Sequence, residues 1–420
     1  MAKTSAMPGF YKLDRQKRLA AVSDFASLSA EQRKVLEANN PLDFQIADRM
    51  TENAIAFHCL PFSVATNFIV NKKEMLIPMA IEEPSVVAAA SYAAKLCRDT
   101  GGFVATADKP IMTGQIQIVG LEDANQAAKE LNLKKEQILK QAEPFAANIA
   151  SYGGGLRGFE ARAIHTKRGK MVVAHLHVDV KDSMGANTVN TILEGISPFI
   201  EKICNAKARL RIITNLATMR LAKATAVWKG ETIGKDAVEG ILDAWAFADA
   251  DKFRACTHNK GAMNGIDAIC VATGNDWRAV EAGAHAYAAI KGKYGSLTTY
   301  KKLDNGDLQG QIELPLAVAT IGGATKSLAS AQAALSILNV KSAQELACVI
   351  ASVGLAQNFA AVRALSAEGI QKGHMALHAR NIAIAAGAKA KQVDKVAAKM
   401  AQEKQISIKR AQEILKQMQG

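Results

Sequence analysis

The sequence predicts a multidomain α+β protein, with a small α/β unit inserted into a larger, mainly helical domain and followed by a short helical tail. Two observations carry this expectation. Residues 15–100 and the stretch beyond about 208 read mainly as helices, whereas residues 110–208 hold strands separated by a helix. The chain has 420 residues, 49% hydrophobic and 22% charged, which is the balance of an ordinary globular protein long enough for roughly two to four cores. The expected organisation is residues 1–109 and 209–368 as the large domain, 110–208 as the insertion and 369–420 as the tail.

Taken in order, residues 60–70 are an apolar interruption in the first helical stretch. Glu82-Glu83-Pro84-Ser85 opens a helix, because proline is tolerated at the first helical position. Residues 115–119 alternate with period two up to Gly120 and read as a strand. A helix at 132–142 leads to the turn Gly153-Gly154-Gly155, and residues 171–180 form a second, clearer strand. The turn Asp182-Ser183-Met184-Gly185-Ala186-Asn187 then opens a helix over 188–196, with Asp182 or Asn187 as its cap. Further strands are expected at 269–272 and 311–319, and a helix over 279–290 capped by Asp276. The tail reads as two amphipathic helices. One presents Val393, Val396, Ala397 and Met400; the other, capped by Ser407, presents Ile408, Ala411, Leu415 and Met418.

Lys and Arg number 52 against 39 Asp and Glu, a net charge of +13 that fits a polyanionic partner or a solvated basic surface. Six Tyr, three Trp and dispersed lysines argue against nucleic acid and leave phosphate-bearing cofactors. The six cysteines include no CxxC pair, against a disulfide framework or zinc site, with Cys256 a conceivable nucleophile. Residues 1–21 hold no apolar signal core, and no apolar run reaches the ~20 residues of a membrane helix. A soluble, cytoplasmic chain with no membrane partner is expected.

Four stretches carry possible chemistry. Glu83 precedes a helix, where a carboxylate meets the dipole favourably; as a general acid it would need burial or another carboxylate to hold its proton. Gly185 permits close approach of a ligand, and the helix start beside it offers N–H groups to a phosphate. An ordinary strand–turn–helix reads the same way, and the turn lacks GxGxxG, so any dinucleotide here is held in a non-Rossmann manner. His258-Asn259-Lys260-Gly261 and Gly274-Asn275-Asp276-Trp277 flank the strand expected at 269–272. Lys260 is either a solvated loop charge or the partner of Asp276, itself either a helix cap or a site acid. His374 and His378 lie four apart, but Met375 replaces the glutamate of HExxH and no third ligand stands out, so no metal is expected.

Several segments together resemble one family, the class II form of 3-hydroxy-3-methylglutaryl-coenzyme A (HMG-CoA) reductase, over nearly the whole chain. They are Glu52-Asn53-Ala54-Ile55, Pro78-Met79-Ala80-Ile81-Glu82-Glu83-Pro84-Ser85, the 182–187 turn, His258-Asn259-Lys260-Gly261, Thr273-Gly274-Asn275-Asp276-Trp277, Gly322-Gly323-Ala324-Thr325 and Gly373-His374-Met375. The resemblance implies a homodimer or an oligomer of dimers, with sites at the subunit interface. It implies a large CoA-binding domain, a small NAD(P)-binding domain at 110–208 and a C-terminal flap. The implied reaction is the four-electron interconversion of HMG-CoA with mevalonate and CoA, through a hemithioacetal and an aldehyde.

By the same resemblance, Lys260 faces the developing oxyanion, Glu83 supplies a proton, Asp276 pairs with Lys260 and raises the proton affinity of Glu83, and His374 protonates the departing thiolate. His378 supports the flap. Ser85, Arg254, Asn264 and Asn358 hold the substrate, with Arg254 suited to a carboxylate. Asp182, Met184, Gly185, Asn187 and Asn215 line the dinucleotide site. Three positions depart from the family pattern. Ala56 replaces the glycine after Glu52-Asn53-Ala54-Ile55. Tyr11, beside Lys12, stands nearest the basic residue that some members use for CoA phosphates. Ala146 stands where NAD-preferring members carry an acid, which points to NADPH or dual use. The alternatives are a reductase of another carboxylate-bearing acyl-CoA and an inactive binding subunit of the same fold.

Overall fold

A computed structural model describes residues 3–38, 42–367 and 379–418. Helices α1 (Arg15–Ala26), α2 (Ala30–Glu37) and α3 (Phe44–Met50) are followed by a hairpin of β1 (Phe62–Val70) and β2 (Lys73–Ala80). The apolar interruption at 60–70 is thus a strand. Its partner β2 is hard to read because it is apolar almost throughout and contains Pro78, but it is an edge strand, where a missing N–H is tolerated. Asn71 and Lys72 both take positive φ (49° and 66°) at the turn. Helix α4 (Val86–Leu96) then starts two residues later than Pro84 suggests, with Ser85 as its N-cap at φ 77°.

Strand β3 (Phe103–Ala107) joins the hairpin to β8 (Leu221–Trp228), β10 (Leu308–Pro315) and β9 (Thr298–Lys302), completing a six-stranded sheet ordered β2-β1-β3-β8-β10-β9. Between β3 and β8 the chain builds a second sheet, β5-β6-β4-β7, from β4 (Ile111–Val119), β5 (Gly155–Thr166), β6 (Gly169–Asp179) and β7 (Lys207–Ile213). The strands expected at 115–119 and 171–180 are β4 and β6. β5 was masked by charges alternating with its inward Phe159 and Ala161. β7 carries this sheet past the boundary expected at 208, to Ile213. The helix expected at 132–142 is two helices, α5 (Ala124–Leu133) and α6 (Lys135–Ser151), which with α7 (Ala186–Cys204) close a separate apolar core against the sheet.

The larger core is crossed by α14 (Ala343–Ala367), where the ring of Phe359 stacks on buried Trp228 at 3.8 Å. Among the described residues, this is the one helix long and apolar enough to span a bilayer, and 83% of its apolar window is buried in the protein. Around it lie α8 (Gly230–Ile233), α9 (Lys235–Ala250), α10 (Lys252–Ala272), α11 (Trp277–Ala288), α12 (Gly323–Ser327) and α13 (Ala329–Leu338). Residues 269–272, expected as a strand, are the last turn of α10. Ala268, Ile269, Cys270 and Ala272 are all buried, and a short run apolar on every side carries no period to separate strand from helix. After α15 (residues 379–385), α16 (Ala390–Gln402) and α17 (Ile408–Gln417) form the expected amphipathic pair. Ser407 caps α17 by accepting from the Arg410 N–H, and Val396, Met400, Ala411 and Leu415 are buried between the helices, joined by Ile414.

Candidate active site

Lys260 lies on α10 rather than in a loop, and its Nζ donates to Glu83 Oε2 at 2.8 Å. Both side chains are about half exposed, so the pair adds little to stability, and its interest is chemical. The turn of α10 bearing Lys260 is fixed from behind. Asn259 donates to Tyr294 Oη and the Gly295 carbonyl and accepts from the Leu297 N–H. Buried His258 meets Thr298 Oγ1 through Nε2 at 2.6 Å; burial, with the nearby Arg254 charge adding, pushes its pKa down to about 4, so the imidazole stays neutral.

Asp276 does cap α11, accepting from the Ala279 N–H at 3.1 Å, but its other described partner is Arg278 at 3.2 Å. Among the described residues it makes no ion pair with Lys260, contrary to expectation, because the carboxylate is turned onto its own helix. Arg254 lies six residues before Lys260, about 9 Å along the axis. Its half-buried guanidinium has no hydrogen-bond or ion-pair partner among the described residues, and burial lowers its pKa. Asn264, one turn past Lys260 on the same face, also has no described side-chain partner.

Asn358 departs from its expected substrate contact. It is fully buried, donates to the His258 carbonyl at 2.8 Å and accepts from Tyr300 Oη and Thr298 Oγ1, so it braces α10 from within α14. His374 and His378 lie outside the described residues.

The 182–187 turn joins β6 to α7. Gly185, not Asp182 or Asn187, is the N-cap of α7, at φ 98°, and no side chain caps this helix. A Cβ on Gly185 would stand 2.5 Å from Val180 Cγ1, so glycine is required there. The Asp182 carboxylate instead accepts from the Ala343 N–H at the start of α14. Asn187 and Asn215 are exposed, Met184 half-buried. Ala146 is only 3% exposed, packed on the inner face of α6.

Two features escaped the sequence. Arg220 is a buried guanidinium behind the 182–187 turn. Asp267, on α10, shares a hydrogen bond with Glu281 on α11. Burial, then that bond and the repulsion between the two carboxyls, hold Asp267 well above the usual carboxylate range. Neither residue sits in a motif, so only the fold reveals them. The folded protein keeps a proton on Asp267 that the unfolded chain releases. Stability present at acid pH is therefore lost as pH rises from the ordinary aspartate range through the raised folded value. Asp267→Asn retains a donor toward Glu281 and cannot titrate, so it flattens that part of the Tm-against-pH profile; an unchanged slope would count against the shared proton.

A cavity of about 1380 Å³ runs along α4 from Val87 to Lys95, and is also lined by Tyr11, Arg15, Arg18 and Ser91. Its lining includes Ala80 and Val87, on either side of the Glu83–Ser85 segment in sequence, and the basic side chains Arg15, Arg18, Lys95 and Arg98.

Comparisons with known proteins put this arrangement among the dinucleotide-dependent oxidoreductases. The family described as hydroxymethylglutaryl-coenzyme A reductase matches residues 14–379. The 3-hydroxy-3-methylglutaryl-coenzyme A reductase of Archaeoglobus fulgidus is 53% identical over 100% of this chain and 96% of its own. A probable reductase of the same kind from Borreliella burgdorferi is 36% identical over 79% of this chain and 77% of its own. Among solved structures, the class II reductase of Streptococcus pneumoniae bound to NADPH in open conformations is 37% identical, has a TM-score of 0.82, and matches over 97% of this chain and 100% of its own. The chain belongs to the HMG-CoA reductase family, in its class II branch.

Proposed function

We propose that this chain interconverts HMG-CoA with mevalonate and CoA in a four-electron reaction, with Glu83 and Lys260 at the reacting carbonyl. The observation that carries this reading is the 2.8 Å Lys260–Glu83 pair, a cation and a carboxyl group held together on the helix that also carries Arg254, whose guanidinium has no partner among the described residues. Arg254 takes the free carboxylate of the acyl group, with Ser85 and Asn264 on its other polar groups. That choice favours this substrate class over acyl-CoAs without a carboxylate. The cavity along α4 takes CoA, with Arg15, Arg18 and Lys95 toward its phosphates, so basic residues beyond Tyr11 serve where position 11 does not.

The uncapped start of α7 and the close approach allowed by Gly185 fit the phosphates of a nicotinamide dinucleotide. When bound, the dinucleotide supplies hydride, one for each of two reductions. Asp182, Met184 and Asn187 stand at the same turn, and exposed Asn215 lies in the β7–β8 link. Ala146 is packed inside the core of the inserted unit and so carries no argument on the 2′-phosphate; the NADPH bound by the Streptococcus enzyme is what supports NADPH here. NADPH, or dual use, is the expected preference.

Lys260 stabilises the oxyanion formed at the thioester carbonyl and again at the aldehyde. Glu83 delivers the proton to that oxygen. Glu83 takes the hydroxyl proton back as the hemithioacetal collapses, its C–S bond breaking to give the aldehyde, and His374 protonates the leaving thiolate. Asp276 completes the group when the flap (369–420) and a second subunit close the site. The six-stranded sheet and its helices serve as the CoA-binding and dimerisation domain. The inserted sheet is the NAD(P)-binding domain, and the homodimer works in the cytoplasm without a membrane.

Absorbance at 340 nm with HMG-CoA and NADH or NADPH tests this. Two dinucleotides consumed per thioester establish the four-electron reaction, and no consumption in either direction overturns it. Gly185→Ala is expected to raise the KM for dinucleotide about tenfold and leave that for HMG-CoA unchanged, since the added methyl displaces the turn against Val180.

A further inference from the structure

Arg220 lies in the link between β7 and β8, 4% exposed, and among the described residues it forms no ion pair with a carboxylate. Its Nη1 donates to the Ser183 carbonyl at 3.1 Å and reaches the Met184 carbonyl at 3.5 Å, while Nη2 donates to the carbonyl of Val318, just past β10. Burial lowers its pKa to about 10, partly offset by Asp182 and Asp179, so it keeps its charge at neutral pH. The turn is gripped from the same side at Asp182, whose carbonyl accepts from the Thr320 N–H at 3.0 Å.

A trans peptide unit is planar, with its C=O and N–H on opposite sides. Drawing the Ser183 and Met184 carbonyls inward onto Arg220 turns the N–H groups of Met184 and Gly185 outward. Among the described residues those two N–H groups donate to nothing, and they adjoin the uncapped first turn of α7. Successive outward N–H groups form an anion-binding concavity.

We propose that Arg220 is a positioning residue for the dinucleotide, which, by anchoring the Ser183 and Met184 carbonyls, holds the backbone N–H groups of the turn toward its pyrophosphate. The inference rests on the reading that this turn holds the dinucleotide. Arg220 never touches the ligand. It acts through two peptide planes and ties them to the far end of β10 through Val318.

The test is titration of the full-length protein with NADPH and with ADP-ribose, which has the pyrophosphate and no nicotinamide, alongside HMG-CoA kinetics at saturating dinucleotide. Arg220→Met is expected to weaken both NADPH and ADP-ribose about tenfold or more, with the KM for HMG-CoA unchanged. Arg220→Lys keeps the buried charge but not the fork, so it folds where methionine fails and gives an intermediate loss. Unchanged ADP-ribose affinity in a variant with lowered Tm would make Arg220 merely structural and overturn the proposal. So would equal losses for dinucleotide and HMG-CoA. Wild-type protein that binds HMG-CoA but neither NADPH nor ADP-ribose would overturn the reading of the turn itself.

Discussion

Lys260→Ala is expected to lower turnover by about 10²–10³-fold while Tm stays near that of the parent. The side chain is 58% exposed and its ion pair with Glu83 lies near the surface, so truncation removes little packing and little net Coulomb energy. The loss appears instead where charge develops. The thioester oxygen is nearly neutral in the ground state and anionic after hydride arrives, so the ammonium is worth most in the transition state. kcat should therefore fall much more than HMG-CoA affinity does. Lys260→Arg keeps the charge but places a wider planar group against Glu83, and is expected to recover only part of the rate. Near-parental turnover in the alanine variant would end the oxyanion assignment.

His374→Gln should separate the two halves of the reaction. Reduction of the thioester requires a thiolate to leave, and that anion is costly in a closed, dry site unless a proton reaches it as the C–S bond breaks. Reduction of free mevaldehyde expels nothing. The glutamine variant should lose about 10²–10⁴-fold with HMG-CoA and far less with mevaldehyde, measured as dinucleotide consumption with each substrate. Equal losses on the two would reassign His374 to a step they share. Asp267→Asn and Gly185→Ala act on pH-dependent stability and on dinucleotide affinity respectively, so the four variants have separable signatures.

Elements bounded by turn chemistry were legible in the sequence. β4 ends at Gly120, α11 begins at Asp276 and α17 begins at Ser407, because a φ requirement or an orphan N–H dictates residue type locally. What failed was the burial-rich interior. The 269–272 turn of α10 and the Pro78 strand are apolar on several sides, and tertiary packing alone decides between helix and strand there. The same division holds at the site. Glu83, Lys260, Arg254 and Gly185 stand in recognisable segments, and the fold brings Glu83 onto Lys260. Asn358 was read as a substrate ligand, yet its amide is spent on His258, Thr298 and Tyr300, a fact about three-dimensional neighbours 58–100 residues away in sequence. Arg220 and the Asp267–Glu281 pair are likewise properties of contacts between distant segments.

The junction between the two sheets bears on the protein's ancestry. β3 and β8 pair up to Ala107↔Ala222, and the next step is already bridged by the Asp108 N–H on the Leu221 carbonyl at 2.8 Å. The chain leaves and re-enters the large sheet at one closed neck. Excising residues 109–220 and closing that neck with a tight turn would leave every ladder of the six-stranded sheet whole. The smaller module has the layout of a cassette added to a pre-existing hairpin, and is the natural segment to exchange when hybrids of related reductases are built.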